Sequence, residues 1–300
     1  MKNMKVLGRF SLLLIIAFSS CKKDSETTIT EYLGQTPPGE TPLRFAPSSS
    51  YRPNSIWWWI ASPSFSPDGK EMYFGKYIRS NSDHEIWFTK CVNGEWSEPQ
   101  KAPFSSTTFD SNPRFFGNND ELFFFSQRSD GFIFKVTRIA SGWSEPSALN
   151  IPLPANMHGG QAYSIANNGN VYCVLWDEDY RSCDIYRSKF ENGQYLIPEN
   201  LGTTVNCSGI DGVEYVDPNE QFIVFSSVRP QGSGFHDLYK SNRNQDGTWS
   251  TPMSLGPQIN SSQEDVSANL SPDGKYLFFI SIRTGDVDYT AYWVDAGILK

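Results

Sequence analysis

Apolar residues along this chain form short runs separated by tight polar turns, and the arrangement returns five times. The first copy is the turn Ser66–Lys70 followed by the apolar run Met72–Phe74. The turn residues of the five copies are spaced by 50, 50, 51 and 54 positions, and they are Asp68, Asn118, Asn168, Asn219 and Asp273. A fixed period of this size indicates a repeat architecture, in which one supersecondary unit buries its apolar face against the next.

Each repeat contains four short strands. Asp-Gly, Asn-Gly and Asn-Asn turns have hairpin chemistry and join the first two strands. A third, aromatic strand follows, such as Asp184–Tyr186, and then a fourth segment with the pattern Gly-x-Trp-Ser-Glu-Pro, as in Gly94–Pro99. Little of the chain has helical period, so the sequence predicts an all-β protein: a β-propeller of five four-stranded blades. A β-sandwich, the alternative, predicts strands without a period.

The fifth repeat lacks its fourth strand, because the sequence ends at Lys300 soon after the third strand near Tyr292. Residues Gly39–Pro47 resemble the fourth segment Gly94–Pro103 of the first repeat. We therefore predict that an N-terminal strand near Thr41–Pro47 completes the last blade. Closing the ring in this way removes the exposed sheet edges that invite aggregation.

The first 20 residues have the pattern of a secretory signal. Met1–Lys5 supplies positive charge, and Phe10–Phe18 is an apolar stretch too short to span a membrane as a helix. The predicted organisation is a signal peptide over 1–20, a polar tether with the closing strand over 21–55, and a propeller domain over 56–300.

The Ser-Pro-Asp-Gly-Lys turns and the Asp-Ile-Tyr strand resemble the TolB-type, WD40-like propeller repeat of bacterial envelope proteins, over roughly residues 40–300. Cys21, directly after small residues, resembles a lipoprotein cleavage site, and Lys22–Glu26 resembles the surface-export tether of Bacteroidetes lipoproteins. The resemblance implies lipidation at Cys21 and an outer-membrane lipoprotein at the cell surface or on the periplasmic face. A plain flexible linker has the same composition as this tether. The lipid would be the chain's only contact with the membrane.

Charge and motifs limit the classes of partner. A net charge of −8 without clustered Lys and Arg argues against nucleic acid. No nucleophile elbow, zinc-protease helix, phosphate loop or dinucleotide fingerprint is present. The expected partner is a glycan or an envelope protein. No cofactor is predicted. Asp177–Asp179 and the pair Asp286 and Asp288 are weak Ca²⁺ candidates against the alternative of solvated loop charge.

Comparison of the five copies, position by position, supplies candidate site residues. The position that begins the innermost strand holds Ile60, Asp110, Gly160, Asp211 and Asp265. Three carboxylates around one propeller mouth would bind a cation or a cationic partner. The alternative is that each Asp holds its own loop. A second position, at the end of the next strand, holds Arg128, Arg229 and Arg283, which would favour acidic or sulfated ligands or else brace adjacent loops.

Repeats one and three depart from both patterns. Repeat one has the run Trp57–Trp59, in which Trp58 or Trp59 would be a stacking platform for a sugar unless the loop covers them. Repeat three has His158 beside glycines, with Gln161 and Tyr163 close by. His158 is the best candidate for a general base or a metal ligand, and an incidental loop histidine is the alternative.

Two functional hypotheses follow. In the first, the protein is a non-catalytic lipoprotein that binds a poly- or oligosaccharide, or an envelope protein, at one propeller mouth. In the second, it is a lyase or dehydratase that acts on anionic oligosaccharides by β-elimination, with His158 or Tyr163 taking the proton. Hydrolysis by an acid pair among Asp110, Asp211 and Asp265 is a weaker variant.

Four cysteines remain in the mature chain after Cys21. Cys173 and Cys183 lie on the second and third strands of one predicted blade. The sequence leaves two alternatives for this pair, a cross-strand disulfide in an oxidising envelope and a pair of buried free thiols.

Overall fold

Five antiparallel sheets follow one another along the chain, one for each repeat. The computed structural model describes residues 32–45, 60–78, 83–117, 120–128, 131–230, 232–286 and 289–300. The predicted all-β propeller with five blades is confirmed. Each blade has an inner, a second, a third and an outer strand, in hydrogen-bonding order.

The strand bounds repeat from blade one to blade five. The inner strands are Ile60–Phe65, Asp110–Phe115, His158–Ile165, Asp211–Val216 and Asp265–Leu270. The second strands are Glu71–Ile78, Glu121–Ser126, Val171–Trp176, Phe222–Ser227 and Tyr276–Ser281. The third strands are Asp83–Val92, Ile133–Ile139, Cys183–Ser188, Asp237–Asn242 and Thr290–Asp295. The outer strands are Gln100–Lys101, Ser147–Ala148, Glu199–Asn200, Met253–Ser254 and, from the N-terminal part of the chain, Leu43–Arg44. Short hairpin strands are Glu95–Trp96, Gly142–Trp143, Phe190–Glu191 and Gln194–Tyr195, and a 3-10 helix spans Ala296–Leu299.

The ring closes as predicted. Leu43 and Arg44 pair with Trp293 and Tyr292 in antiparallel register, so the outer strand of blade five precedes blade one in the sequence. Phe45, directly after this strand, is buried, and its ring lies 5.5 Å from the ring of Trp293. The closing segment therefore contributes a core side chain as well as a strand.

Every inner strand has a register irregularity at its middle. In blade two the strand bulges by one residue between Ser111 and Arg114, whereas in blade three one additional residue lies between Gly159 and Tyr163. In blade three, the position equivalent to Asp110 is Gly159. Gly159 pairs with Leu175, as Asp110 pairs with Ser126 in blade two. The sequence comparison that placed Gly160 opposite Asp110 is therefore wrong by one residue, because it assumed bulges of equal length.

Candidate functional site

Asp110, Asp211 and Asp265 are buried, and each holds the loop that precedes its own inner strand. In all three, one carboxylate oxygen accepts a hydrogen bond from the backbone N–H four residues earlier, at 2.6 to 2.7 Å. The donors are Ser106, Cys207 and Ser261. Burial raises the pKa of Asp265.

The three arginines complete the same arrangement. Arg128 donates to both oxygens of Asp110, at 3.2 and 3.3 Å, and to the carbonyl of Phe104 at 3.0 Å. Arg229 and Arg283 donate to the carbonyls of Val205 and Ile259, each again 24 residues earlier. All three guanidinium groups also lie over aromatic rings of their own blade. In this geometry the six charged residues brace loops, as the structural alternative supposed, and we do not place them in an acidic or basic ring at the axis.

A large opening lies between blades two and three. It is a groove of about 1280 Å³ that begins at His158 and Tyr180 and reaches Phe190 and Tyr195. Its floor is apolar and formed by Phe125, Phe132, Leu149 and Ile151. Small-molecule sites in proteins commonly have volumes of roughly 300 to 1,000 Å³, so this groove has room for a larger ligand. We call it the blade 2/3 groove.

The packing between the blades differs at the end of the groove where the inner strands begin. One position near the start of the third strand lies two residues before a buried aliphatic residue, which is Ile86, Ile185 or Leu238 in blades one, three and four. At this position these blades carry His84, Cys183 and His236. These side chains fill the crevice with the next blade: His84 stacks on Phe109 with ring centroids 3.7 Å apart, for example. Burial lowers the pKa of His84 to about 4, which keeps this packed ring neutral. Blade two has Gly131 at this position, and the ring of Phe132 packs against Gly159 of blade three instead.

A smaller side chain opens the other end. The hairpin after the third strand carries a tryptophan in blades one, two and four, and Trp143 packs on the preceding blade and donates to the Tyr73 hydroxyl at 2.9 Å. Blade three has Tyr195 instead, with its ring 4.8 Å from the ring of Phe190. Phe190 replaces the arginine that lies over the tryptophan in blades two and four.

Aromatic rings form an exposed platform at the His158 end. The imidazole of His158 stacks on Tyr180, with centroids 4.6 Å apart and planes 14° apart, and the Trp176 ring lies 6.4 Å from Tyr180. Tyr180 is 59% exposed and has φ of +57°, a backbone conformation uncommon for a residue other than glycine. Asp177 fixes the turn by accepting from the Arg181 N–H at 2.7 Å. The turn therefore holds the Tyr180 ring over His158.

Polar groups line the groove without any acid among them. Arg128, Lys135, His158 and Gln194 contribute to the lining, and no Asp or Glu side chain does so in the described part of the chain. The whole protein carries 33 acidic residues and a net charge of −8, so the lack of acids among the described lining residues is unexpected by composition. Lys135 pairs with Glu121 at 2.7 Å outside the lining.

The other sequence-predicted residues of blade three lie apart from the groove. Tyr163 is buried, and its hydroxyl donates to the Asn112 carbonyl at 2.8 Å. Burial raises the pKa of Tyr163 well above its usual range, which disfavours a role as proton acceptor. Gln161 is exposed, and its backbone carbonyl accepts from the Asn112 side chain at 2.9 Å. Of the blade-three residues predicted for the site, His158 is the one that lines the groove.

Two ionisable side chains of different blades, Arg114 and Glu214, are buried at the propeller axis. Arg114 of blade two donates to the Ala268 carbonyl of blade five at 3.1 Å, across the ring. Glu214 of blade four accepts from the Ser226 hydroxyl at 2.8 Å. Burial raises the pKa of Glu214 to about 7, against the opposing effect of the Arg114 charge. The pair joins three blades at the axis.

The remaining predictions divide as follows. Cys21, Trp58 and Trp59 lie outside the described residues, so lipidation and the tryptophan platform stay predictions. Cys173 and Cys183 are free buried thiols, and burial raises both pKa values to about 12. Within the described ranges, no group of His, Cys, Asp or Glu side chains has a metal-binding arrangement. Asp286, one of the Ca²⁺ candidates, pairs with Arg44 at 2.6 Å. None of the helices in those ranges is both long and apolar enough to cross a bilayer.

Comparison with known proteins supports the fold. No known family and no curated protein matches the sequence. Among solved structures, the catalytic domain of the GH62 α-L-arabinofuranosidase of Coprinopsis cinerea is 11% identical, with a TM-score of 0.53 over 86% of this chain and 97% of that one. The α-L-arabinofuranosidase of Podospora anserina, in complex with cellotriose, is 9% identical, with a TM-score of 0.50 over 81% and 91%. At such identities the likeness shows the propeller fold alone.

Proposed function

We propose that this protein is an envelope lipoprotein, anchored through Cys21, whose propeller binds an oligosaccharide in the blade 2/3 groove. The observation that carries the proposal is the groove itself, which has an apolar floor and the exposed Tyr180 ring at one end. A sugar ring has apolar C–H faces and a polar rim. It therefore matches a site that combines an aromatic face with a few side-chain donors.

The sequence resemblance to envelope propellers supports the proposed location at the outer membrane, on the cell surface or the periplasmic face. The signal-like segment over residues 1–20 and the following Cys21 agree with it. A polar tether over residues 21–55 would let the propeller reach a ligand away from the bilayer. Solved structures of similar fold include enzymes that act on carbohydrates, which is consistent with a glycan ligand and does not specify one.

A binding assay with a matched pair of variants tests the proposal. Purified mature protein is titrated with a panel of soluble plant and algal oligosaccharides. The titrations are then repeated with the variants Tyr180→Ala and Phe235→Ala. The two rings are equally exposed, at 59% and 60%, and Phe235 belongs to the corresponding loop of blade four, away from the groove. We expect Tyr180→Ala to weaken binding about tenfold or more, corresponding to about 1.4 kcal/mol, and Phe235→Ala to leave it unchanged. Equal effects of the two changes, or no binding to any glycan, would contradict the proposal.

A lyase is the second candidate, and the convergence of His158, Tyr180, Arg128 and Lys135 in one groove favours it. In β-elimination the base takes the proton beside the carboxyl group, the bond to the leaving oxygen breaks, and a carbon–carbon double bond forms. His158 would accept the proton, and a cationic side chain would bind the carboxylate. Incubation with acidic oligosaccharides, followed by ultraviolet absorbance of the unsaturated product, separates the two candidates. Product that forms with the wild type and not with His158→Gln would establish the lyase.

A further inference from the structure

The two ends of the blade 2/3 groove each carry an exposed aromatic ring. Tyr180 lies at the end where the inner strands begin. Phe190 is 40% exposed and stands beside Tyr195 at the opposite end, just beyond the last residue of the third strand, Ser188. A strand of six residues at about 3.3 Å per residue places the two rings on the order of 20 Å apart. One monosaccharide cannot contact both.

The groove also contains cationic side chains that are paired with carboxylates. Lys135 of blade two lines it and pairs with Glu121, and Arg128, which lines it nearer the Tyr180 end, pairs with Asp110. Lys135 is about one-third exposed, and its partner Glu121 lies outside the lining. No carboxylate of the described residues lines the groove, and Glu121, which borders it, is paired with Lys135, so an anionic group of a ligand could share that ammonium group.

Blade three departs from the other blades at both aromatic positions together. Blades one, two and four have Cys91, Arg138 and Arg243 where blade three has Phe190. In blades two and four that arginine lies over the hairpin tryptophan. In blade three the replacement leaves an apolar ring exposed at the rim of the groove. Phe190 packs beside Tyr195 and against Gly169, and it remains 40% exposed.

We infer that the groove binds an internal segment of an acidic polysaccharide, with Tyr180 and Phe190 as aromatic platforms at its two ends and Lys135 between them. This inference rests on the proposed function and adds the class of ligand and its mode of binding. A chain that lies along the groove contacts both platforms at once. Affinity should therefore rise with chain length until both rings are covered and then level off.

The test is a titration with ladders of oligomannuronates, oligogalacturonates and carrageenan oligomers, from dimer to octamer, against carboxyl-reduced oligomannuronates as neutral counterparts. We expect affinity for at least one acidic ladder to rise about tenfold or more from dimer to the length at which it levels off. The matched neutral ladder should bind more weakly. Phe190→Ala should abolish the gain for long oligomers and leave the affinity of the dimer unchanged.

Two control variants separate local from general effects. Ile197→Ala changes a 61% exposed apolar residue of the same hairpin outside the groove and should leave the length dependence intact. Lys135→Gln should lower affinity for acidic oligomers. Lys189→Gln removes a similarly exposed lysine from an ion pair outside the groove, and this change should leave the affinity for acidic oligomers unchanged. Glycan binding that is lost in Tyr180→Ala, but shows no dependence on length or charge, would overturn this inference and leave the proposed function standing. Absence of binding to any glycan, acidic or neutral, would contradict both.

Discussion

At the scale of single residues, the structure separates charged groups that hold loops from groups that line the blade 2/3 groove. Asp110 illustrates the first kind, because its carboxylate is buried and accepts from the Ser106 backbone and from Arg128. From sequence alone both roles were open, because the residue type does not distinguish an aspartate that holds a loop from one that binds a ligand. Hydrogen-bond partners decide between them, and those depend on loop geometry that the sequence does not reveal.

The change Asp110→Ala should therefore cost stability without affecting ligand binding. It leaves the Arg128 guanidinium and the Ser106 N–H without their partner, and removing one member of a buried charged pair costs about 3 kcal/mol or more. Chemical denaturation measures the loss, with Asp120→Ala, at an 80% exposed side chain, as the control. Loss of glycan affinity in a folded Asp110→Ala protein would show that Asp110 contributes to binding and would contradict a purely structural role.

Glu214 at the axis should make stability depend on pH. Burial raises its pKa in the folded protein to about 7, so between its ordinary pKa and pH 7 the folded state holds a proton that the unfolded state has released. Its contribution to the free energy of unfolding is therefore present at low pH and is lost as the pH rises through 7, by up to ~3 kcal/mol.

The difference in unfolding free energy between the wild type and Glu214→Gln, measured from pH 5 to pH 8, isolates this contribution. We expect that the wild type loses stability relative to the variant as the pH rises. Glu145→Gln, at an exposed position, should show no such trend. A pH-independent difference for Glu214→Gln would mean that Glu214 is ionised throughout this range.

At the scale of elements, the N-terminal strand Leu43–Arg44 closes the ring and Phe45 anchors it. Phe45→Ala removes a buried ring that contacts Phe278 and Trp293, and such changes cost about 3 to 5 kcal/mol. Thermal unfolding should show the loss, whereas Leu43→Ala, in the same strand and 45% exposed, should change stability by less than about 1 kcal/mol. Equal melting of the two variants would argue against closure by this segment.

The hairpin of blade three sets the width of the groove. Tyr195→Trp restores the residue of blades one, two and four, so the larger ring should pack against blade two. We expect the variant to be at least as stable as the wild type and to bind long oligosaccharides about tenfold more weakly, or ~1.4 kcal/mol. Unchanged affinity, with the indole in place by crystallography, would show that this end of the groove is not used.

At the scale of the whole molecule, the sequence predicted the five blades and their closure. Both follow from the strand pattern that occurs in every repeat, because the pattern also shows which strand the last repeat lacks. The groove proposed as the site was not predicted. Comparison of positions within one strand identified His158, which lines the groove, whereas the sequence analysis looked for a site at a propeller mouth. The groove lies between two blades, with Tyr195 at one end. Tyr195 is recognisable in the sequence as the departure from Gly-x-Trp, whereas the packing of Phe132 against Gly159 depends on how neighbouring blades are arranged.

A crystal structure of the mature protein with the tightest-binding oligosaccharide would locate the ligand directly. We expect sugar density in the blade 2/3 groove, with one ring stacked on Tyr180 and the chain directed towards Phe190. Density at the propeller axis, with the groove between blades two and three empty, would contradict the proposed site.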